Sequence, residues 1–146
     1  MSQQKSKGSL EDDGNAPIRI MPGTTVSRVV SAQSIEATAW VRMYYELLVY
    51  DAEGKQMTVS EDKLKQMIII EPDERYWTEK DGWWYCNSKV ETGKTTAPLF
   101  DSLEFSGPNM GNEYQSGTVE LVIHAQAVQY ANNPGPATEV AGWPRD

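Results

Sequence analysis

A mainly β fold, a jelly-roll or Greek-key β-sandwich with one short helix, is what this sequence predicts, and three observations predict it. Two long runs alternate apolar and polar residues with a period of two. Turn signals made of Gly, Pro, Asn and Asp recur between short β-branched segments. Only one stretch, about residues 60–66, reads as a helix. Many short strands, frequent turns and one helix together point to a sandwich.

The elements follow in order. Residues 1–16 are polar and Gly/Asp-rich, and read as a flexible N-terminal segment. Pro17-Ile-Arg-Ile-Met21 is a short alternating strand closed by the turn signal Pro22-Gly23. Thr24 to Ser31 is β-branched and reads as a strand. Residues 38–50 form the first long run, with Val41, Met43, Tyr45, Leu47 and Val49 on one face and Trp40, Arg42, Tyr44, Glu46 and Tyr50 on the other. Asp51-Ala-Glu-Gly54 is a turn. Ser60 can cap the helix, and Glu61 and Asp62 suit the positive end of its dipole.

Met67 to Glu71 reads as a buried strand stopped by Pro72. Tyr76-Trp77-Thr78 and Gly82-Trp-Trp-Tyr-Cys86 flank Glu79-Lys-Asp-Gly82, a hairpin signal. Pro98 to Ser106 holds a further strand, and Gly107 to Gly117 a Gly/Asn/Pro loop. Thr118 to Gln129 is the second long run, with Val119, Leu121, Ile123, Ala125 and Ala127 on one face. One domain over 17–131 is expected, followed by a Pro/Gly-rich tail over 132–146.

A chain of 146 residues buries roughly 68–70% of its unfolded surface, so its core needs no disulfide or metal. The net charge of −8 argues against nucleic acid, whose backbone is bound through Lys and Arg, and against an anionic membrane surface. No apolar run reaches the roughly 20 residues of a membrane span. Cys86 is the sole cysteine, which excludes an internal disulfide and favours burial as a small hydrophobe. No leader is visible at the start; Met1 to Ser9 reads as a tag remnant or a trimmed mature end.

The motifs of catalysis are missing. His124 is the single histidine, and Glu120, four residues before it, lies about 13 Å away by strand rise alone. That spacing makes neither a chelate nor a base held by an orienting carboxylate, so His124 reads as a sheet-face residue. His-Glu-x-x-His, Gly-x-Ser-x-Gly and the P-loop do not occur. Glu11-Asp-Asp-Gly14 lacks the spaced ligands of a calcium loop, and pairs such as Asp73/Glu74 are unremarkable among 21 acids. The residues thus predict no enzyme, no metal and no cofactor.

The aromatic group around the hairpin is more informative. Trp83 and Trp84 are adjacent, so in a strand they face opposite sides. Trp77, Trp83, Trp84 and Tyr85 are therefore candidates for stacking on a glycan or partner chain, against the plainer reading of core and sheet-edge cover.

Trp77-Thr-Glu-Lys-Asp-Gly-Trp-Trp-Tyr85, Gly93-Lys-Thr-Thr96, Pro98-Leu-Phe100, Asn109-Met-Gly-Asn-Glu-Tyr-Gln115 and the run Thr118 to Asn133 form a distinctive series. Upstream stand Met21-Pro-Gly-Thr-Thr-Val-Ser27 and Ala39-Trp-Val-Arg42. Over residues 17–133 the chain resembles the camelysin/TasA-like family of exported Gram-positive proteins. The resemblance implies export, a jelly roll, and in some members matrix fibres in which an N-terminal strand completes the sheet of the next subunit. Some members carry a metallopeptidase label, for which this sequence offers no zinc site.

The expectation is thus an exported structural protein of a Gram-positive cell surface or biofilm matrix, assembling with copies of itself and with other surface or matrix components. Ile18, Arg19 and Ile20 are the candidate donor strand. The alternative is a non-catalytic adhesin that uses the Trp/Tyr hairpin, and a lesser one is a metallopeptidase of the kind the family label implies.

Overall fold

The computed structural model describes residues 16–144. In chain order it contains β1 (Ile18–Arg19), β2 (Thr25–Val30), β3 (Ala39–Tyr50), β4 (Gln56–Met57), α1 (Glu61–Met67), β5 (Ile68–Ile69), β6 (Trp77–Lys80), β7 (Trp83–Cys86), β8 (Phe100–Phe105) and β9 (Thr118–Gln129). Two 3-10 turns lie at Asn112–Tyr114 and Ala137–Glu139.

The two long alternating runs are β3 and β9. They pair antiparallel over their whole length, from Ala39 opposite Gln129 to Tyr50 opposite Thr118. A period-two pattern permits only registers that keep the apolar set on one face, and this one does. The larger sheet runs β1-β9-β3-β7-β6, with β4 beside the far end of β3; the smaller runs β2-β8-β5. Every described ladder is antiparallel.

The two sheets form a sandwich around one core. Val41, Met43, Val49, Val119 and Leu121 from the large sheet meet Val30, Phe100, Leu103, Phe105 and Ile68 from the small one. Burying a side chain such as Met43, Leu103 or Phe105 contributes about 1.5–3 kcal/mol each. Trp77 and Cys86 close the core at the β6–β7 end, and Cys86 is buried.

The local signals hold where they are strongest. Ser60 caps α1, its hydroxyl accepting from the Lys63 N–H at 3.2 Å. In the β6–β7 hairpin, Asp81 and Gly82 both adopt positive φ (54° and 88°), the primed-turn conformation that suits a twisted ribbon. The Glu79 carboxylate accepts from the Gly82 N–H at 3.0 Å and ties the turn shut. Among the described residues no helix is long and apolar enough to cross a membrane.

The segment after residue 131 departs from expectation. Read as a Pro/Gly tail, it instead crosses the outer face of the large sheet. There it builds a second core of Trp40, Tyr85, Ala137 and Val140, flanked by Trp83, Val128 and Trp143. The outer face carries aromatic rings at this end, and the strap removes them from water. Its glycines permit the close approach: a Cβ on Gly135 would stand 2.6 Å from the Trp40 ring. The Trp40 and Trp143 indole N–H groups donate to Asn133 O at 2.7 Å and Ala137 O at 3.0 Å.

Candidate functional site

Two places hold the chemistry that the sequence singled out: the outer face of the large sheet and the free edge of β9.

On the outer face, alternation brings Arg42, Tyr44 and Glu46 of β3 beside Gln126, His124 and Val122 of β9. Tyr85 of β7 lies opposite Arg42 on the other side. Arg42 is 8% exposed. Its guanidinium lies 4.1 Å from the centroid of the Trp83 ring and 4.8 Å from that of Trp143. Its Nε donates to the Gln126 side-chain oxygen at 2.8 Å, Nη1 to the Tyr85 hydroxyl at 2.9 Å and Nη2 to Pro144 O at 3.0 Å. Every one of these partners is neutral, so aromatic faces and oxygen dipoles carry the charge. Arg42 thereby joins β3, β9, β7 and the strap.

This arrangement decides where the stacking candidates stand. Trp77 is 1% exposed, its indole N–H donating to Ala97 O at 3.2 Å, and Tyr85 is buried beneath the strap. Neither offers a ring face to a partner, and for these two the stacking reading is corrected. Trp77 belongs to the main core, while Tyr85 is covered by a segment whose role is not visible locally in sequence. Trp83 and Trp84 do face opposite sides: Trp83 packs in the outer cluster, Trp84 against the main core. Both are half-buried, and one face of Trp83 is taken by Arg42.

His124 has a partner that sequence distance hid. Its ring stacks on Tyr44, with centroids 4.3 Å apart and planes at 17°. Its Nε2 lies 3.6 Å from Glu46 Oε1, a carboxylate diagonal to it across the ladder. Spacing along β9 shows only Glu120, whereas the carboxylate that His124 meets comes from β3. Glu120, the candidate along the strand, instead accepts from the Tyr50 hydroxyl at 3.3 Å. Among the described residues no group of three His, Cys, Asp or Glu side chains is placed to hold a metal ion.

The donor candidate Ile18-Arg19-Ile20 lies in the chain's own sheet. Ile18 stands opposite Val119 and Arg19 opposite Thr118. Ile18 and Ile20 are buried, and the Ile20 N–H donates to Gly117 O at 3.0 Å.

Beyond β1, no strand among the described residues pairs with the outer edge of β9. β9 has 12 residues, and β1 pairs with two of them, Thr118 and Val119. The direction of the free groups follows from the ladder. Ala39 exchanges both main-chain bonds with Val90, on the side of β3 away from β9, whereas the Thr38 carbonyl accepts from Tyr130, on the β9 side. Even residues of β3 and their even partners on β9 therefore bond each other. The N–H and C=O groups of Leu121, Ile123, Ala125 and Ala127 point outward, with no strand beside them among the described residues. Their side chains face the core, and those of Ile123, Ala125 and Ala127 are only partly buried against it.

A smaller cleft of about 200 Å³ opens between β3 and the α1–β5 side, lined by residues including Tyr45, Leu47, Leu64 and Ile68. Burial there raises the Tyr45 hydroxyl above its ordinary pKa.

No protein-family model, no curated protein and no solved structure matches this chain.

Proposed function

We propose that this chain is an exported structural protein of a Gram-positive cell surface or biofilm matrix. It is of the camelysin/TasA-like kind and assembles with copies of itself by strand addition. It works by binding and assembly and carries out no reaction.

The observation that carries this reading is the edge of β9. A strand whose outward N–H and C=O groups are unpaired is a template for another strand. From Leu121 to Ala127 the strand itself carries no Lys, no Pro, no Arg and no carboxylate to guard the edge. β1 occupies the start of the same lane through only two residues. A segment that pairs so briefly within its own chain can make the same contacts with a neighbour, Ile18 and Ile20 filling the neighbour's core. Each copy then gives β1 to the next and receives one from the last, and a head-to-tail contact that does not close extends a filament. The sequence resemblance over residues 17–133 supports the same assignment.

Electron microscopy of the protein with and without residues 1–23 tests it. The reading expects filaments from the whole chain and their loss on truncation. Identical filaments from the truncated chain would remove β1 as the donor, and no filaments from either would remove the fibre assignment.

A further inference from the structure

We infer that the stretch of β9 from Ile123 to Ala127 pairs antiparallel with the same stretch of a second copy, joining two large sheets into one across a two-fold axis. This rests on the strand-addition reading of the β9 edge and names the partner for the part of it that β1 leaves open.

The chain's own sequence ahead of β1 does not suit this lane. Continuing the register of Ile18 opposite Val119 backwards sets Ala16 against Leu121, Gly14 against Ile123 and Asp12 against Ala125. Residues opposite one another share a face, so Asp12 would point toward the core. A carboxylate there, with no partner, is strongly disfavoured, because desolvation penalises its charged form. Gly14 would add no apolar surface over Ile123.

The stretch does suit a second copy of itself. A two-fold axis through Ala125 sets Ala125 against Ala125 of the partner subunit and Ile123 against the partner's Ala127. Both are then hydrogen-bonded pairs, because the odd residues turn their main-chain groups outward. A large side chain meets a small one at the flanking pairs, and the half-buried side chains of Ile123, Ala125 and Ala127 gain cover on the core side. In this register Gln129 of the partner subunit reaches only as far as Leu121, short of the rows held by β1. At the far end the Asn133 amide donates to Gln129 O at 2.8 Å, so a side chain already ends the lane there. Head-to-tail exchange of β1 and two-fold pairing of β9 use different rows. One would lengthen a filament and the other would join two.

Electrostatics favour this stretch as well. The chain carries a net charge of −8, which opposes self-association in general. Leu-Val-Ile-His-Ala-Gln-Ala, residues 121–127, contributes no carboxylate to a paired edge.

Residue-resolved hydrogen exchange on the unmodified full-length chain, across a concentration series, tests this directly. The amides of Val122, His124 and Gln126 are bonded to β3 and should exchange slowly throughout. Those of Ile123, Ala125 and Ala127 should exchange fast when dilute and lose that fast exchange as concentration rises, in step with a dimer in sedimentation equilibrium. Ala125→Pro removes an N–H that points away from β3, so it should abolish the dimer while the domain stays folded. Concentration-independent exchange at the three odd amides would overturn the inference, as would a folded Ala125→Pro chain that still dimerises. Dimers without filaments would refute the fibre reading and leave this one standing. Filaments whose odd amides exchange as fast as in the monomer would do the reverse.

Discussion

The guanidinium of Arg42 lies 4.1 Å from the centroid of the Trp83 ring, buried, with no carboxylate within ion-pair distance among the described residues. A buried charge is tolerated only when its donors and its field are answered. Here Gln126, Tyr85 and Pro144 answer the donors, and Trp83 and Trp143 the field.

Arg42→Lys should therefore be costly although it keeps the charge. A lysine ammonium is a strongly hydrated point charge and cannot reproduce the planar fork. The expected loss is about 2–3 kcal/mol in urea unfolding, with a changed near-ultraviolet signal from the tryptophans around it. An unchanged urea midpoint would show that the planar geometry contributes nothing.

The strap should come away before the domain unfolds. Trp143→Ala removes ring contacts to Arg42 and Tyr85 and the bond to Ala137 O. Gly135→Ala drives a methyl group into the Trp40 ring. Each should destabilise by about 1–3 kcal/mol and make residues 131–144 cleavable by protease at concentrations that spare the rest. Cleavage elsewhere first would mean that the strap is not the weakest element.

Gly117→Ala should be more harmful than Gly107→Ala. A Cβ at 117 runs into the Tyr50 carbonyl oxygen, a main-chain atom that cannot rotate aside, whereas at 107 the nearest atom is an ordinary 3.5 Å away. A loss of about 1–3 kcal/mol is expected for the first and little for the second. Thermal unfolding of the pair compares them without further controls.

Cys86 should give the chain an alkaline limb of instability. Burial holds its thiol above the ordinary pKa, against a smaller lowering from the Ser88 main chain. The unfolded thiol titrates near about 8.5. A group whose folded pKa is raised contributes stability that is intact below the unfolded value and declines as pH climbs toward the folded one. The urea midpoint should thus fall as pH rises above the unfolded thiol's value of about 8.5, and fall less in Cys86→Ala. In the native state a thiol reagent should label Cys86 only as fast as the domain opens. Rapid native-state labelling would contradict its burial.

Much of the fold was legible because it is periodic. The alternation of Val41, Met43, Tyr45, Leu47 and Val49, and of Val119, Leu121, Ile123, Ala125 and Ala127, marks two strands and the faces they bury. Ser60 with Glu61 and Asp62 marks the helix start, and Asp81-Gly82 the hairpin. Each of these is decided within a few residues by backbone sterics, capping or pleat geometry.

Local sequence therefore sets the β-rich class, the helix at Glu61–Met67, the main turns and the opposed directions of Trp83 and Trp84. Which residues meet across the chain depends on the three-dimensional fold. His124 finds Tyr44 and Glu46 on a strand nearly eighty residues earlier, and Arg42 finds Trp143 and Pro144 about a hundred residues later. The tail becomes a strap because Trp40 and Tyr85 leave an aromatic surface that needs cover, and no local property of Asn132 to Pro144 announces that. The open edge of β9 is likewise invisible in its own residues. A strand's pattern tells which face is buried, but its edge is open or closed according to what lies beside it in space.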